Sequence, residues 1–213
     1  SSLLNYPHGI DLGPLQSRLP ERLYTAKKRI RLAPNTYLKG MSRLRKRAEQ
    51  MRGALDSGET PLLLIGRRHV RSNNSWMHNS HRLVKGKNRC TLMIHPDDAE
   101  KAGLNHGELA AVSSRVGTIE IEVEVTDGIM EGVVSIPHGW GHQREGVQLA
   151  VAQKRPGVSL NDLTDDRFVD KLTGTSALNG LPVQVVKAGL ASTQTTAIPR
   201  AKKSRVRVSA KLS

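Results

Sequence analysis

GELAAVSSRVGTIEIEVEVTDGIMEGVVSIP, residues 107–137, holds the pattern that decides the fold. From Thr118 to Val125 the residues Ile119, Ile121, Val123 and Val125 alternate with Glu120, Glu122 and Glu124. Successive side chains of a strand point to opposite faces, so this segment is a strand with one buried and one wet face. Leu109–Ser113 before it and residues 133–136 after it also read as strands, with Gly107, Gly117, Gly128 and Gly132 marking the turns. The three carboxylates share a face and read as a solvated surface rather than an acid/base pair.

Working outward, Leu62-Leu63-Leu64-Ile65 predicts a short buried strand that stops at Gly66, and residues 90–94 (CTLMI) predict another. Pro96-Asp97-Asp98-Ala99 starts a short helix, with proline and acids where the unpaired N–H groups of a first turn favour them, and Gly103 ends it. Residues 182–186 supply a last strand. Short strands, one short helix and tight turns predict a mainly β fold with short helices, a small closed barrel over residues 60–187. Residues 1–59 read as a lead-in: a Pro- and Gly-rich extended stretch, then an amphipathic helix over 41–55 with Met41, Leu44, Ala48, Met51 and Leu55 at helical spacing. Residues 188–213, rich in Ser, Thr and Ala and free of acid, read as a basic disordered tail.

Charge follows the same division. The net +14 of the 213 residues suggests a nucleic-acid partner at first sight. Residues 1–59 carry 12 Lys/Arg against 5 Asp/Glu, residues 60–187 carry 15 against 14, and residues 188–213 carry 6 against none. The excess therefore sits on the flanks, and 3% aromatic content argues against a base-stacking platform. Nucleic-acid binding is expected to be non-specific only. A single cysteine, Cys90, excludes a disulfide framework and any multi-cysteine metal or iron–sulfur site, and reads as a buried structural thiol. No apolar run is long enough to span a membrane, and the opening residues lack a signal peptide's pattern, which predicts a cytoplasmic setting.

Within the balanced centre one stretch stands out. From Arg67 to Arg89 there are seven basic residues and no acidic one, in a segment without strand or helix period. Loops of that length in a compact domain tend to carry function. The segment holds Arg67, Arg68, Arg71, Ser72, Asn73, Ser75, Trp76, His78 and Asn79: guanidinium forks for phosphate oxygens, hydroxyls and amides for a heterocycle edge, an indole for a flat ring. An ordinary basic surface loop has the same composition. His69, His78 and His81 lack a neighbouring Cys or carboxylate to complete a metal site, and His138 and His142 have metal-binding helical spacing only across two glycines.

The ordered set of landmarks is more specific. LLLIGRRHVRSNNSWMHN, then HPDDAEKAG, VTDG and PHGWG, then Asn161-Asp162-Leu163-Thr164, then DKLTGTSALNG and the closing strand, resemble the carboxy-terminal molybdopterin dinucleotide-binding domain of the dimethyl sulfoxide reductase superfamily, which includes formate dehydrogenases. That resemblance implies a six-stranded double-psi β-barrel and molybdopterin guanine dinucleotide as cofactor. It implies that the loop residues above contact the cofactor first, with His138, Trp140 and Gly141 forming a second contact segment and Asn161 a third. Arginines would neutralise the diphosphate, Ser and Asn would read pterin or guanine edges, and Gly141 would allow close backbone approach. In the family the molybdenum or tungsten ligand lies in earlier domains, so this chain alone is expected to turn over no substrate. Its expected partners are those domains or a separate catalytic subunit.

Overall fold

The computed structural model describes residues 2–57 and 61–189. The acid-free tail expected from residue 188 onward lies, beyond Gly189, outside the described residues. The chain divides into two units, residues 1–47 and 48–213. In the first, short 3-10 turns at Ser2–Asn5 and Ala26–Lys28 and a single helical turn, α1 (Asn35–Leu38), punctuate an extended path. Leu12, Leu15, Tyr24 and Leu32 are all exposed there. A helix is present over the expected stretch as α2 (Met41–Asp56), with Met41, Leu44 and Met51 exposed. Among the described residues no helix is long and apolar enough to cross a membrane.

The second unit is organised by six strands: β1 (Leu62–Arg67), β2 (Thr91–Ile94), β3 (Leu109–Ser113), β4 (Thr118–Val125), β5 (Val133–Pro137) and β6 (Leu181–Lys187). They close in the order β1-β5-β2-β4-β3-β6, with β1–β5 and β2–β4 parallel and the other neighbours antiparallel. Such non-consecutive pairing produces the crossing connections of a double-psi barrel, and closure leaves no strand edge unpaired. Alternation on β4 puts Ile119, Ile121 and Val123 into the barrel, where they meet Leu64, Leu92, Ile94, Val112, Val134, Ile136 and Val183.

Two expectations change. β1 does not stop at Gly66: it pairs with β5 as far as Arg67↔Pro137. Only Leu64 of its apolar run is fully buried, and Ile65 faces outward. The carboxylate face of β4 is not simply solvated. Glu120 is exposed, but Glu122 accepts from Asn88 Nδ2 at 2.8 Å, and Glu124 accepts from the Thr91 hydroxyl at 2.5 Å. A one-turn helix, α3 (His81–Val84), interrupts the long loop, and the short helix α4 (Pro96–Lys101) forms as the proline and acids predict.

Candidate functional site

Because β1 and β5 run parallel, both end at the same end of the barrel and release their loops side by side. The backbone N–H of His138 donates to Arg67 O at 3.1 Å, tying loop 68–80 to loop 138–142 at their roots. A third segment joins them: Gly141 N and His142 N donate to Pro156 O at 2.8 and 3.1 Å. Packing is too close for side chains at several points, Gly139 and Gly141 among them. Gly139 (φ +89) lies against the Asn74 carbonyl, where a Cβ would collide. At Gly141 (φ +104) a Cβ would meet Ser159 Cβ at 2.8 Å, so its close approach is to the 156–163 segment. The three segments separated in sequence are thus one assembled lip.

Within it the residues singled out from sequence divide by role. Arg67 is spent on the outer face of the barrel wall: Nη1 donates to Ser135 O at 2.5 Å, and Nη2 to Thr91 O and Oγ1 at 2.8 and 2.7 Å, with Glu124 4.0 Å away. Asn79 is spent too, its Oδ1 accepting from Val151 N and Ala152 N and so starting the 3-10 turn Ala152–Lys154. Asn161 is exposed on the 3-10 turn Leu160–Asp162. Arg68 and Arg71 are both exposed on the loop, Arg68 reaching Asn74 Oδ1 at 2.6 Å. Asn73 and Asn74 take left-handed conformations (φ 39 and 64), which asparagine tolerates better than most residues. Ser75 is half-buried beside them. Trp76, 82% exposed, projects its indole into solvent.

Behind this exposed rim sits a buried layer. Ser72 and His78 are 2% and 1% exposed, and Trp140 is 8% exposed. The His78 ring stacks on Trp140 with centroids 4.0 Å apart, and its Nδ1 lies 2.8 Å from His142 Nε2. Ser72 Oγ, His78 Nε2 and Trp140 Nε1 are buried without a hydrogen-bond partner among the described residues. Such orphans are rare in folded proteins and call for an explanation. Beside Trp140 a cavity of about 490 Å³ opens, lined also by Arg89, Cys90, Arg155 and Gly157. Cys90 itself is buried as expected, accepting from Val158 N at 3.4 Å, and burial pushes its thiol pKa up.

Electrostatically the lip is cationic. His69 is pushed below its ordinary pKa by burial and then by Arg89, Arg71 and Arg67; His138 by burial and then Arg68. Burial, then Arg71 and Arg155, also lower Arg89, whose Nε is a further buried orphan. Arg89, His142 and Arg155 are site residues that the sequence pattern does not single out, although Arg89 closes the acid-free run and His142 belongs to HGWGH. Asn179, whose Oδ1 accepts from Gly66 N at 2.8 Å, carries no such signal at all. Among the described residues His69, His78 and His81 do not bring their ring nitrogens together. Among the described residues the ligand atoms that converge are those of His95, Asp97 and Glu131, at the opposite end of β2. A polyanion bearing a heterocycle fits the lip: cations lack local counter-charge, and buried polar atoms await a partner.

The class so defined is a double-psi barrel with a cationic, ligand-ready lip at one end. The family described as "Molydopterin dinucleotide binding domain" matches residues 62–182, and this chain belongs to it. Its cofactor is molybdopterin guanine dinucleotide. Relatives include a tetrathionate reductase of Salmonella typhimurium, 28% identical over 111 residues, 44% of this chain and 11% of that protein. The molybdopterin-containing subunit of the arsenate respiratory reductase of Chrysiogenes arsenatis is 31% identical over 139 residues, 59% of this chain and 16% of that protein. The chain therefore corresponds to a small part of the length of the curated relatives it matches. Acetylene hydratase from Pelobacter acetylenicus shares the fold, with a TM-score of 0.52 and 24% identity over 62% of this chain and 19% of that one.

Proposed function

We propose that this chain holds the dinucleotide cofactor across the lip formed by loops 68–80 and 138–142 and segment 156–163, as one domain of a larger molybdopterin oxidoreductase. The observation that carries the reading is the pairing of the exposed arginines Arg68 and Arg71 with the buried orphan polar atoms of Ser72 and His78 on the same loop. Arg68 and Arg71 neutralise the diphosphate, since Arg67 already has its partners on the barrel wall and Arg89 donates to Leu83 O and Lys85 O. Ser72, Asn73, Ser75 and His78 read heterocycle edges, and Trp76 covers a ring face or the adjoining domain. Asn79 and Gly141 shape the lip rather than touch the ligand. His138, Trp140 and Asn161 complete its second and third sides.

When bound, the cofactor and its metal supply the redox chemistry, and the protein supplies binding and orientation. The metal ligand and the substrate funnel belong to the rest of the parent protein. That parent is the catalytic subunit of an oxidoreductase. Support comes from the reductases among the relatives and from the alpha subunit of an F420-dependent formate dehydrogenase of Methanococcus maripaludis, 41% identical over 44 residues. Titration of the purified chain with molybdopterin guanine dinucleotide released from a loaded enzyme tests the reading, with tryptophan fluorescence as the signal. Saturable binding that excess duplex DNA does not displace is the expected result. Binding lost to DNA competition would favour a polyelectrolyte surface instead.

A further inference from the structure

His142 lies outside the residues to which the family resemblance gives a role, yet it makes the most buried side-chain contact of the lip. Its Nε2 is 2.8 Å from His78 Nδ1, the two rings stand edge to face at 90°, and both residues are under 9% exposed. A contact between two imidazole nitrogens carries one proton, so the tautomer of one ring dictates that of the other. The Gly139 carbonyl lies near enough to His78 to favour a proton on that ring. With Nδ1 facing His142, that proton belongs on Nε2, and Nδ1 accepts from His142 Nε2–H.

We propose that His142 is a positioning residue that locks His78 as the Nε2–H tautomer, so that His78 presents a fixed donor to an acceptor atom of the bound ligand and joins loop 68–80 to loop 138–142. The inference rests on the cofactor reading for the identity of that acceptor, a pterin carbonyl, ring nitrogen or phosphate oxygen. The lock itself rests only on the chain. His78 Nε2 is buried and lacks a hydrogen bond of normal geometry among the described residues, so a ligand acceptor is the partner it is built to meet.

The lock works only while the His78 ring is neutral. A proton on His78 Nδ1 sets N–H against the His142 Nε2–H, whereas a proton on His142 goes to its far nitrogen and leaves the contact in place. The charged and titratable groups around His78 are all basic: His69 on its own loop, Arg89 before β2, and His142 across the contact. Burial, then His142, hold the His78 pKa down at about 4, with the Gly139 carbonyl opposing, and burial lowers His142. The neutral pair is therefore complete above the ordinary histidine pKa and is lost as pH falls toward about 4.

Nitrogen-15 NMR of histidine-labelled chain tests this without cofactor or activity. The wild type is expected to show His78 as the Nε2–H tautomer at pH 7, untitrated down to about pH 5. H142Q, whose side-chain amide can still donate, should keep that tautomer. H142F should lose it, raise the His78 pKa only in part, since burial remains, and speed tryptic cleavage after Arg71 by at least about tenfold. His78 found as Nδ1–H or titrating near 6.5 in the wild type overturns the proposal, as does an H142F spectrum identical to the wild type. If H142F does not fold, the wild-type spectrum and H142Q still decide the matter. Should the wild type show the lock but bind no cofactor, the functional reading fails and the lock stands.

Discussion

The barrel wall and the lip at its end use the same residue types in opposite ways. In the wall most polar groups are matched, Ser135 Oγ on β5 excepted: Arg67 joins β1 to β5 and β2, Thr91 donates to Glu124, and Asp98 accepts from Gly132 N at 2.7 Å. In the lip, Ser72, His78 and Trp140 are as buried as core residues but have unspent hydrogen-bonding atoms, among cations without nearby acids. A matched buried group contributes stability; an unmatched one costs it, typically about 1–3 kcal/mol. The wall is thus built to stand alone and the lip to be completed by something else. An arginine's place in one set or the other, not its presence in a basic run, decides its role.

The largest effect should separate the two regions on the wall side. Leu64 and Ile136 are fully buried in the barrel, and truncating either to alanine should cost about 2–5 kcal/mol in urea unfolding. Binding per folded molecule should hardly change. Next comes the joint between regions. Gly139→Ala meets both a positive φ and the Asn74 carbonyl, so it should cost about 1–3 kcal/mol and weaken cofactor binding as well. A stability loss with binding intact would show that the loops need not pack together to bind.

The two arginines make the sharper pair. Arg67→Gln removes three hydrogen bonds and leaves Glu124 without its cation, so about 1–3 kcal/mol of stability should go. Arg71→Gln should stay within about 0.5 kcal/mol of wild type in stability, since Arg71 is exposed, yet reduce cofactor affinity. A separate effect is in pH. His78 and His142 have depressed pKa values in the folded state, so the unfolded chain binds more protons below 6.5. Stability should therefore fall as pH drops from about 6.5 toward 4, and H78F should flatten that slope in thermal melts between pH 7 and 4.

Much of the wall is legible in the sequence because its signal is local. The alternation from Ile119 to Val125 and the glycine turns locate β3, β4 and β5 almost residue by residue. Strand order is not legible from local pattern, since β1 pairs with β5 and β6, residues far away along the chain. The acid-free run and HGWGH locate the lip, but not which members are spent. Gly66 looks like a stop and so puts Arg67 in the loop, whereas the strand runs one residue further and lays its guanidinium along the outer wall against Ser135 and Thr91. His142 is hidden in a similar way: two glycines exclude a metal-binding helix, but nothing local reveals a contact with His78 sixty-four positions away.

The most direct measurement is the cofactor content of the parent protein carrying R68Q and R71Q together, set against the same protein carrying R67Q. Guanine nucleotide released by acid hydrolysis would be counted per folded molecule. The double substitution should lower bound cofactor at least about tenfold with the melting temperature unchanged, and R67Q should lower the melting temperature first. Full cofactor in the R68Q/R71Q protein would contradict the division of the molecule into a self-sufficient wall and a ligand-completed lip.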